Sequence, residues 1–222
     1  MPPKLPLNPV IHGKIDRGDY TIEKVYFASH PGHYVTGNLY RPKEITGSAP
    51  GELCPQGHWQ NGRDYDAGDE KAAQEIAAGA EQTSAGAHYP VQARMAQLAR
   101  MGCVVFHYDM VGYADSRQIK HAAGFTDAEA SLRLQNFMGL QTFNSLRALD
   151  FLTSLPEVDV KRIGVTGSSG GGTQTFMLCA LDRRPRVAFP AVMVSTAMQG
   201  GCICENADSL RIGINTVAIA AL

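Results

Sequence analysis

The 222-residue sequence lacks several features that mark whole classes of protein. It has 20 basic and 21 acidic side chains, so no excess of one sign predicts binding to nucleic acid or to an anionic membrane. No apolar run approaches the ~20 residues that span a bilayer. The first residues also lack the apolar stretch of a secretory signal, which leaves the compartment open. We therefore expect neither a nucleic-acid partner nor a membrane partner.

Cysteine is also scarce, and its spacing predicts no disulfide scaffold. The five cysteines, an odd number, are Cys54, Cys103, Cys179, Cys202 and Cys204. The pair Cys202-Ile-Cys204 has the composition of half a metal or redox site. No second pair and no histidine nearby in the sequence completes a zinc set, so we expect no metal and a structural role for the pair.

What the sequence does contain is an alternation of short apolar strands and amphipathic helices. An antiparallel hairpin is predicted first, over 20–27 and 34–40, turning at Pro31-Gly32. Further strands are predicted at 103–106, 163–166 and 187–194, and helices at 91–98, 143–152 and 173–181. This order predicts a single α/β domain over 1–222, with a mostly parallel sheet and helices on both faces. Polar inserts are expected at about 61–87 and 114–134.

The motif that carries chemistry is Gly167-Ser168-Ser169-Gly170-Gly171, which reads G-x-S-x-G between a predicted strand and a predicted helix. A nucleophile on this turn has a strained backbone, and side chains two residues either side would collide. The pattern predicts Ser169 as the nucleophile. A structural turn and a phosphate-binding loop are the alternatives, although Thr173 stands where the phosphate-binding lysine belongs.

An acyl-transfer site also needs two backbone amides that stabilise the developing oxyanion. Gly170 follows the nucleophile, and its N–H is the first predicted donor. The loop 56–59 follows an earlier strand, and the N–H of His58 is the second predicted donor. We expect the His58 imidazole to pack or to form hydrogen bonds. Trp59 is predicted either to line the sugar side of the pocket or to pack in the core.

Four segments together resemble the bacterial acetyl xylan esterase-like branch of the α/β-hydrolases. They are CPQGHWQNGR at 54–63, YDMVGYADS at 108–116, TGSSGGGTQT at 166–175 and GCICENADSLR at 201–211. The resemblance runs from about Tyr20 to the last residue. It implies the α/β-hydrolase fold, an acetylated or otherwise esterified carbohydrate as substrate, and no cofactor. Gln56 departs from the pattern, because the family commonly has histidine there.

The general base is the feature that this sequence does not supply. A serine hydroxyl needs a base, and in this fold the chain order is serine, acid, histidine. The last histidine is His121, so none follows Ser169. Resemblance to the related glucuronoyl esterases makes Glu205 a candidate acid that orients a histidine from beyond residue 222. A structural role for that carboxylate is the alternative.

These features lead us to expect a C-terminally truncated α/β-hydrolase fold that lacks its last strands. The strand predicted at 187–194 would then be an apolar sheet edge through which the chain self-associates. The leading functional hypothesis is a serine carboxylic ester hydrolase that forms an acyl-enzyme at Ser169. A peptidase or lactone hydrolase on the same fold remains an alternative. The missing histidine favours another alternative, an inactive protein that binds a carbohydrate or a partner.

Overall fold

A seven-stranded sheet and the helices that cover it are built from the residues that the computed structural model describes, 2–121, 123–192, 194 and 202–206. The strands are β1 (Val10–Asp16), β2 (Tyr20–His30), β3 (His33–Pro42), β4 (Ala49–Pro55), β5 (Val104–Tyr108), β6 (Val158–Ser168) and β7 (Pro185–Ala191). The helices are α1 (Gly68–Ala77), α2 (Ser84–His88), α3 (Pro90–Arg100), α4 (Ala128–Leu132), α5 (Phe137–Ser154) and α6 (Gly170–Leu181).

The strand order is β1-β2-β3-β5-β4-β6-β7. The pairs β1–β2, β2–β3 and β3–β5 are antiparallel. The pairs β5–β4, β4–β6 and β6–β7 are parallel. The predicted hairpin is confirmed as β2 and β3, and the parallel arrangement is confirmed for the core of the sheet. The sequence pattern did not predict β1, because this edge strand is almost wholly exposed and therefore has little apolar alternation.

Helices lie on both faces of the sheet, as predicted. On one face α3 packs Met95 and Ala99 against Tyr40 and Val105. On the other, α5 places Phe151 in the main core, where its ring lies 5.2 Å from Phe27 and 4.8 Å from Phe106. Each such fully buried side chain stabilises the fold by about 1.5–3 kcal/mol, so the central strands form a rigid base for the loops at their ends.

Local signals explain where several of the helices begin. The side chains of Thr83, Asp127 and Asn136 accept hydrogen bonds from the amides three residues on, and so cap α2, α4 and α5. Pro90 occupies the first turn of α3, where its missing N–H costs nothing. The first predicted insert contains α1 and α2, and the second contains α4. The single-domain organisation stays a prediction.

The last strand differs from its prediction. The strand was predicted over 187–194 as an apolar sheet edge, but β7 ends at Ala191, and Val187 and Phe189 are 69% and 70% exposed. Within the described residues β7 pairs with β6 alone, which leaves these side chains uncovered. Residue 193 lies outside the described residues. Self-association through this strand stays a prediction.

None of the helices in the described residues combines the length and the apolar character that a membrane-spanning helix requires.

Candidate active site

Ser169 occupies the turn between the end of β6 and the start of α6. Its backbone has φ 57° and ψ −124°, a conformation that a residue with a side chain adopts only under strain. Its N–H donates to the carbonyl of Ala191 at 3.0 Å, and its carbonyl accepts from the N–H of Thr173 at 3.1 Å. β7 and the first turn of α6 therefore hold the strained residue from both sides.

The glycines around Ser169 are required by close backbone contacts. A Cβ atom on Gly167 would lie 2.4 Å from the carbonyl oxygen of Gly171, and one on Gly171 would lie 2.3 Å from that of Pro55. Both distances are far below van der Waals contact, and both neighbours are backbone atoms that cannot rotate away. The turn can therefore form only with glycine at these two positions.

The two predicted oxyanion donors lie beside this turn. The loop after β4 packs directly on it, because a Cβ atom on Gly57 would lie 2.4 Å from the carbonyl oxygen of Ser168. The next residue, His58, places its ring Cε1 2.9 Å from the Cβ position of Gly170. Within the described residues, neither the N–H of His58 nor that of Gly170 donates to a backbone carbonyl.

Ion pairs of the buried Arg63 side chain hold the same loop. The guanidinium of Arg63, which is 2% exposed, binds the carboxylates of Asp109 and Asp115. Asp109 also accepts a hydrogen bond of 2.6 Å from the hydroxyl of Thr36. The loop after β4 is therefore fastened to the loop after β5 by charge-assisted hydrogen bonds, which are stronger than neutral ones.

Two histidines lie against the cysteine pair, and the expectation that no histidine accompanies that pair is wrong. The Nε2 atom of His58 is 3.0 Å from Sγ of Cys204, and that of His121 is 3.2 Å from Sγ of Cys202. The two imidazole rings meet edge to face with centroids 5.1 Å apart. Sequence spacing missed this group because its members come from three separate loops.

Glu205 also lies beside the turn. Its side chain is 4% exposed, and its Oε1 atom is 3.4 Å from Nδ1 of His58, near the upper limit for a hydrogen bond. The same oxygen is 3.2 Å from the Cβ position of Gly170. Burial lowers the pKa of His58 and of His121, which favours neutral imidazoles. The carboxylate of Glu205 thus faces Nδ1 of the His58 imidazole.

Trp59 has a less defined place. Its indole is half-buried, and its ring lies 5.6 Å from that of Tyr65 within the insert that follows β4. Its Nε1 atom is 3.3 Å from the Cβ position of Gly57. These contacts explain how the loop is packed, and the role of Trp59 in binding substrate stays a prediction.

Comparison with known proteins finds relatives that are named as hydrolases and esterases. The model of the family described as Acetyl xylan esterase (AXE1) matches residues 124–197. A Bacillus subtilis (strain 168) protein named as a hydrolase, YtaP, is 29% identical over 147 residues, which are 66% of this chain and 44% of that protein.

Two solved structures extend the likeness to nearly the whole chain. Methylesterase BT1017 is 29% identical, with a TM-score of 0.70 over 98% of this chain and 43% of its own length. The acetyl xylan esterase from Paenibacillus sp. R4 is 23% identical, with a TM-score of 0.57 over 84% of this chain and 54% of its own length. The chain thus spans about half the length of these relatives.

The sheet order, the strained turn and these likenesses together define the α/β-hydrolase fold. The chain resembles the acetyl xylan esterase-like branch of that superfamily, as the four sequence segments predicted. The proteins that it resembles are hydrolases and esterases.

Proposed function

We propose that the protein is a serine carboxylic ester hydrolase that acts on an esterified carbohydrate, with Ser169 as its nucleophile. The observation that carries this proposal is the strained conformation of Ser169, which lies between glycines that no other residue can replace. Beside it are the N–H groups of His58 and Gly170, neither of which donates to a backbone carbonyl within the described residues. Strain of this kind costs about 1–3 kcal/mol and is typical of active sites.

The chemistry follows from the arrangement around the turn. Oγ of Ser169 attacks the carbonyl carbon of the ester while a base takes its proton, and the N–H groups of Gly170 and His58 hold the oxyanion. Collapse of the tetrahedral intermediate expels the alcohol and leaves an acyl-enzyme. Water then attacks the acyl-enzyme by the same route and releases the acid. Each amide donor contributes about 2.7–4 kcal/mol to such a transition state.

The base is the part that the nearby histidines do not provide. His58 contacts Glu205 through Nδ1 and Cys204 through Nε2, and His121 contacts Val111 through Nδ1 and Cys202 through Nε2. Since both nitrogens of each ring are engaged, we assign the base to a histidine outside residues 1–222. Glu205 is our candidate for the carboxylate that orients this histidine.

The substrate side is proposed from the loops that surround the turn. An indole stacks on the apolar face of a sugar, so we assign Trp59 to the carbohydrate side of the pocket. The names of the relatives point to both acetyl esters and methyl esters. The proposal is therefore a carbohydrate ester hydrolase, with the acyl and alcohol groups to be distinguished by assay.

The test compares the wild-type protein with Ser169→Ala and with the matched control Ser168→Ala, on acetylated xylo-oligosaccharides and on methyl-esterified uronides. We expect Ser169→Ala to lower kcat by about a thousandfold or more, and Ser168→Ala to change it only a few-fold. Full turnover by Ser169→Ala would contradict the proposal. Binding of these sugars without turnover by the wild type would instead favour the inactive binding protein.

A further inference from the structure

A group of four side chains next to the turn has the composition of a metal site. His58 comes from the loop after β4, His121 from the insert after β5, and Cys202 and Cys204 from the described segment 202–206. One donor atom from each residue lies within 4.8 Å of all the others. Two imidazole nitrogens and two sulfurs form the donor set that zinc prefers in closed tetrahedral sites.

The distances fit such an ion with small adjustments. Zinc binds imidazole nitrogen at about 2.0–2.1 Å and thiolate sulfur at about 2.3 Å, so tetrahedral donors are separated by about 3.3–3.8 Å. The two nitrogen–sulfur contacts are 3.0 and 3.2 Å, and no donor pair exceeds 4.8 Å. Shifts of about an ångström or less in these side chains would therefore place all four donors around one ion.

The other nitrogen of each ring supplies an independent argument. Histidines that bind metals almost always donate their second N–H to a carboxylate or a backbone carbonyl, which fixes the tautomer and the ring orientation. Nδ1 of His121 is 2.6 Å from the carbonyl oxygen of Val111, and Nδ1 of His58 faces the carboxylate of Glu205. Both rings therefore direct Nε2 toward the sulfurs.

The surroundings favour retention of an ion. Cys204 is fully buried and packs with Met110, Val111 and Phe137. The ring of His121 lies edge-on to Phe137 with centroids 5.1 Å apart, which restrains the imidazole from a second side. An apolar shell of this kind limits the access of water to a bound metal.

We propose that His58, His121, Cys202 and Cys204 bind one zinc ion. Binding displaces the thiol protons of the two cysteines to solvent, and the thiolates become ligands. Because the protein fills all four positions, the ion has no open site for water and acts structurally. It ties the loop that carries the His58 amide to the segment that carries Glu205, and so restrains one side of the turn. This proposal does not depend on the esterase activity.

The first experiment uses the wild-type protein, purified under reducing conditions, stripped with a chelator and titrated with Zn²⁺. We expect one equivalent to bind, and zinc-edge X-ray absorption to show two nitrogen and two sulfur neighbours. Replacement by Co²⁺ should give the intense visible bands of a tetrahedral thiolate site. An absence of stoichiometric binding, or a Cys202–Cys204 disulfide in its place, would overturn the proposal without any variant having to fold.

The second experiment assigns the ligands. Cys204→Ser and His121→Gln should each weaken zinc binding by about a hundredfold or more, measured by competition with a chelator of known affinity. Cys179→Ser and His88→Gln, which change a thiol and an imidazole outside the group, should leave the affinity unchanged. Ser169→Ala should also bind zinc normally, which separates this proposal from the esterase proposal. Equal weakening by the control variants would contradict the assignment.

Discussion

The turn at Ser169 and the group of two histidines and two cysteines lie side by side, yet they are built in opposite ways. The turn is contiguous in sequence, and backbone contacts of the sheet fix its geometry. The four-residue group draws its members from positions 58, 121, 202 and 204, and its contacts are made by side chains on loops. The first site is held by backbone contacts of the sheet, and the second by contacts between side chains from three loops.

The two sites therefore differ in what makes them rigid. A residue held in a strained conformation requires surroundings that over-determine it, and the parallel strands β4, β6 and β7 provide them through Pro55 and Ala191. The contacts described within the loop group are made by side chains, so an ion with four bonds would fix its members further. Disruption of the turn should therefore affect stability directly, whereas disruption of the group should act through the metal.

The largest effect is expected from Gly171→Ala, which breaks the turn. Its Cβ atom would lie 2.3 Å from the carbonyl oxygen of Pro55, so backbone must move. We expect a loss of about 3 kcal/mol or more in the free energy of unfolding, measured by urea denaturation. The control is Gly139→Ala in α5, whose nearest neighbour is the side chain of Asn136 at 3.2 Å and which should change stability by less than about 1 kcal/mol. Equal effects would show that the turn is not rigid.

The next effect concerns the loop group. Glu205→Gln retains the shape of the side chain but removes the charge that faces Nδ1 of His58. We expect zinc affinity to fall by about 10–100-fold, the usual cost of losing the outer partner of a metal-bound histidine. Competition with a chelator measures this change. An unaltered affinity would mean that the carboxylate does not orient the imidazole.

A third prediction concerns the strand β4 beside the turn and how its contribution to stability depends on pH. Burial raises the pKa of Glu52 in β4 to about 7, above its value of about 4.3 in an unfolded chain. The folded state therefore binds the proton more tightly, and this carboxyl costs stability increasingly as pH rises from about 4.3 through 7. Because Glu52 is partly exposed to solvent, the effect should be below the ~3.7 kcal/mol that the full pKa difference implies, and Glu52→Gln should raise the free energy of unfolding by about 1–2 kcal/mol at pH 8 and not at pH 4. A gain that is equal at both pH values would contradict the account.

The smallest effect isolates the strain itself. Ser169→Gly removes a side chain from a residue with positive φ, which relieves about 1–3 kcal/mol of strain but adds freedom to the unfolded chain. We expect the free energy of unfolding of Ser169→Gly to exceed that of Ser169→Ala by about 1 kcal/mol, because the alanine variant retains a Cβ atom at the strained position. Chemical denaturation of the two variants provides the comparison. A glycine variant no more stable than the alanine variant would show that the turn carries no strain.

The sequence predicted the turn and the core well, because both depend on local patterns. G-x-S-x-G places its glycines two residues from the nucleophile, and the same spacing fixes the backbone contacts of Gly167 and Gly171. The apolar alternation of 20–27 and 34–40 likewise determines the hairpin of β2 and β3. These predictions required no knowledge of distant contacts.

The rest could not be predicted, because it depends on which loops meet in space. His121 is 81 residues from Cys202, and Arg63 is 46 residues from Asp109, so no spacing rule connects them. Whether β7 is exposed likewise depends on residues that its own apolar run does not specify. An apolar run predicts burial from its own composition, whereas burial depends on which element covers it.

The central claim is that Ser169 is the nucleophile, and reaction of the protein with a serine-directed phosphonate tests it most directly. Intact-mass and peptide analysis should show one adduct on Ser169 in the wild type and in Ser168→Ala, and none in Ser169→Ala. An adduct that persists in Ser169→Ala, or that maps to another residue, would contradict the account.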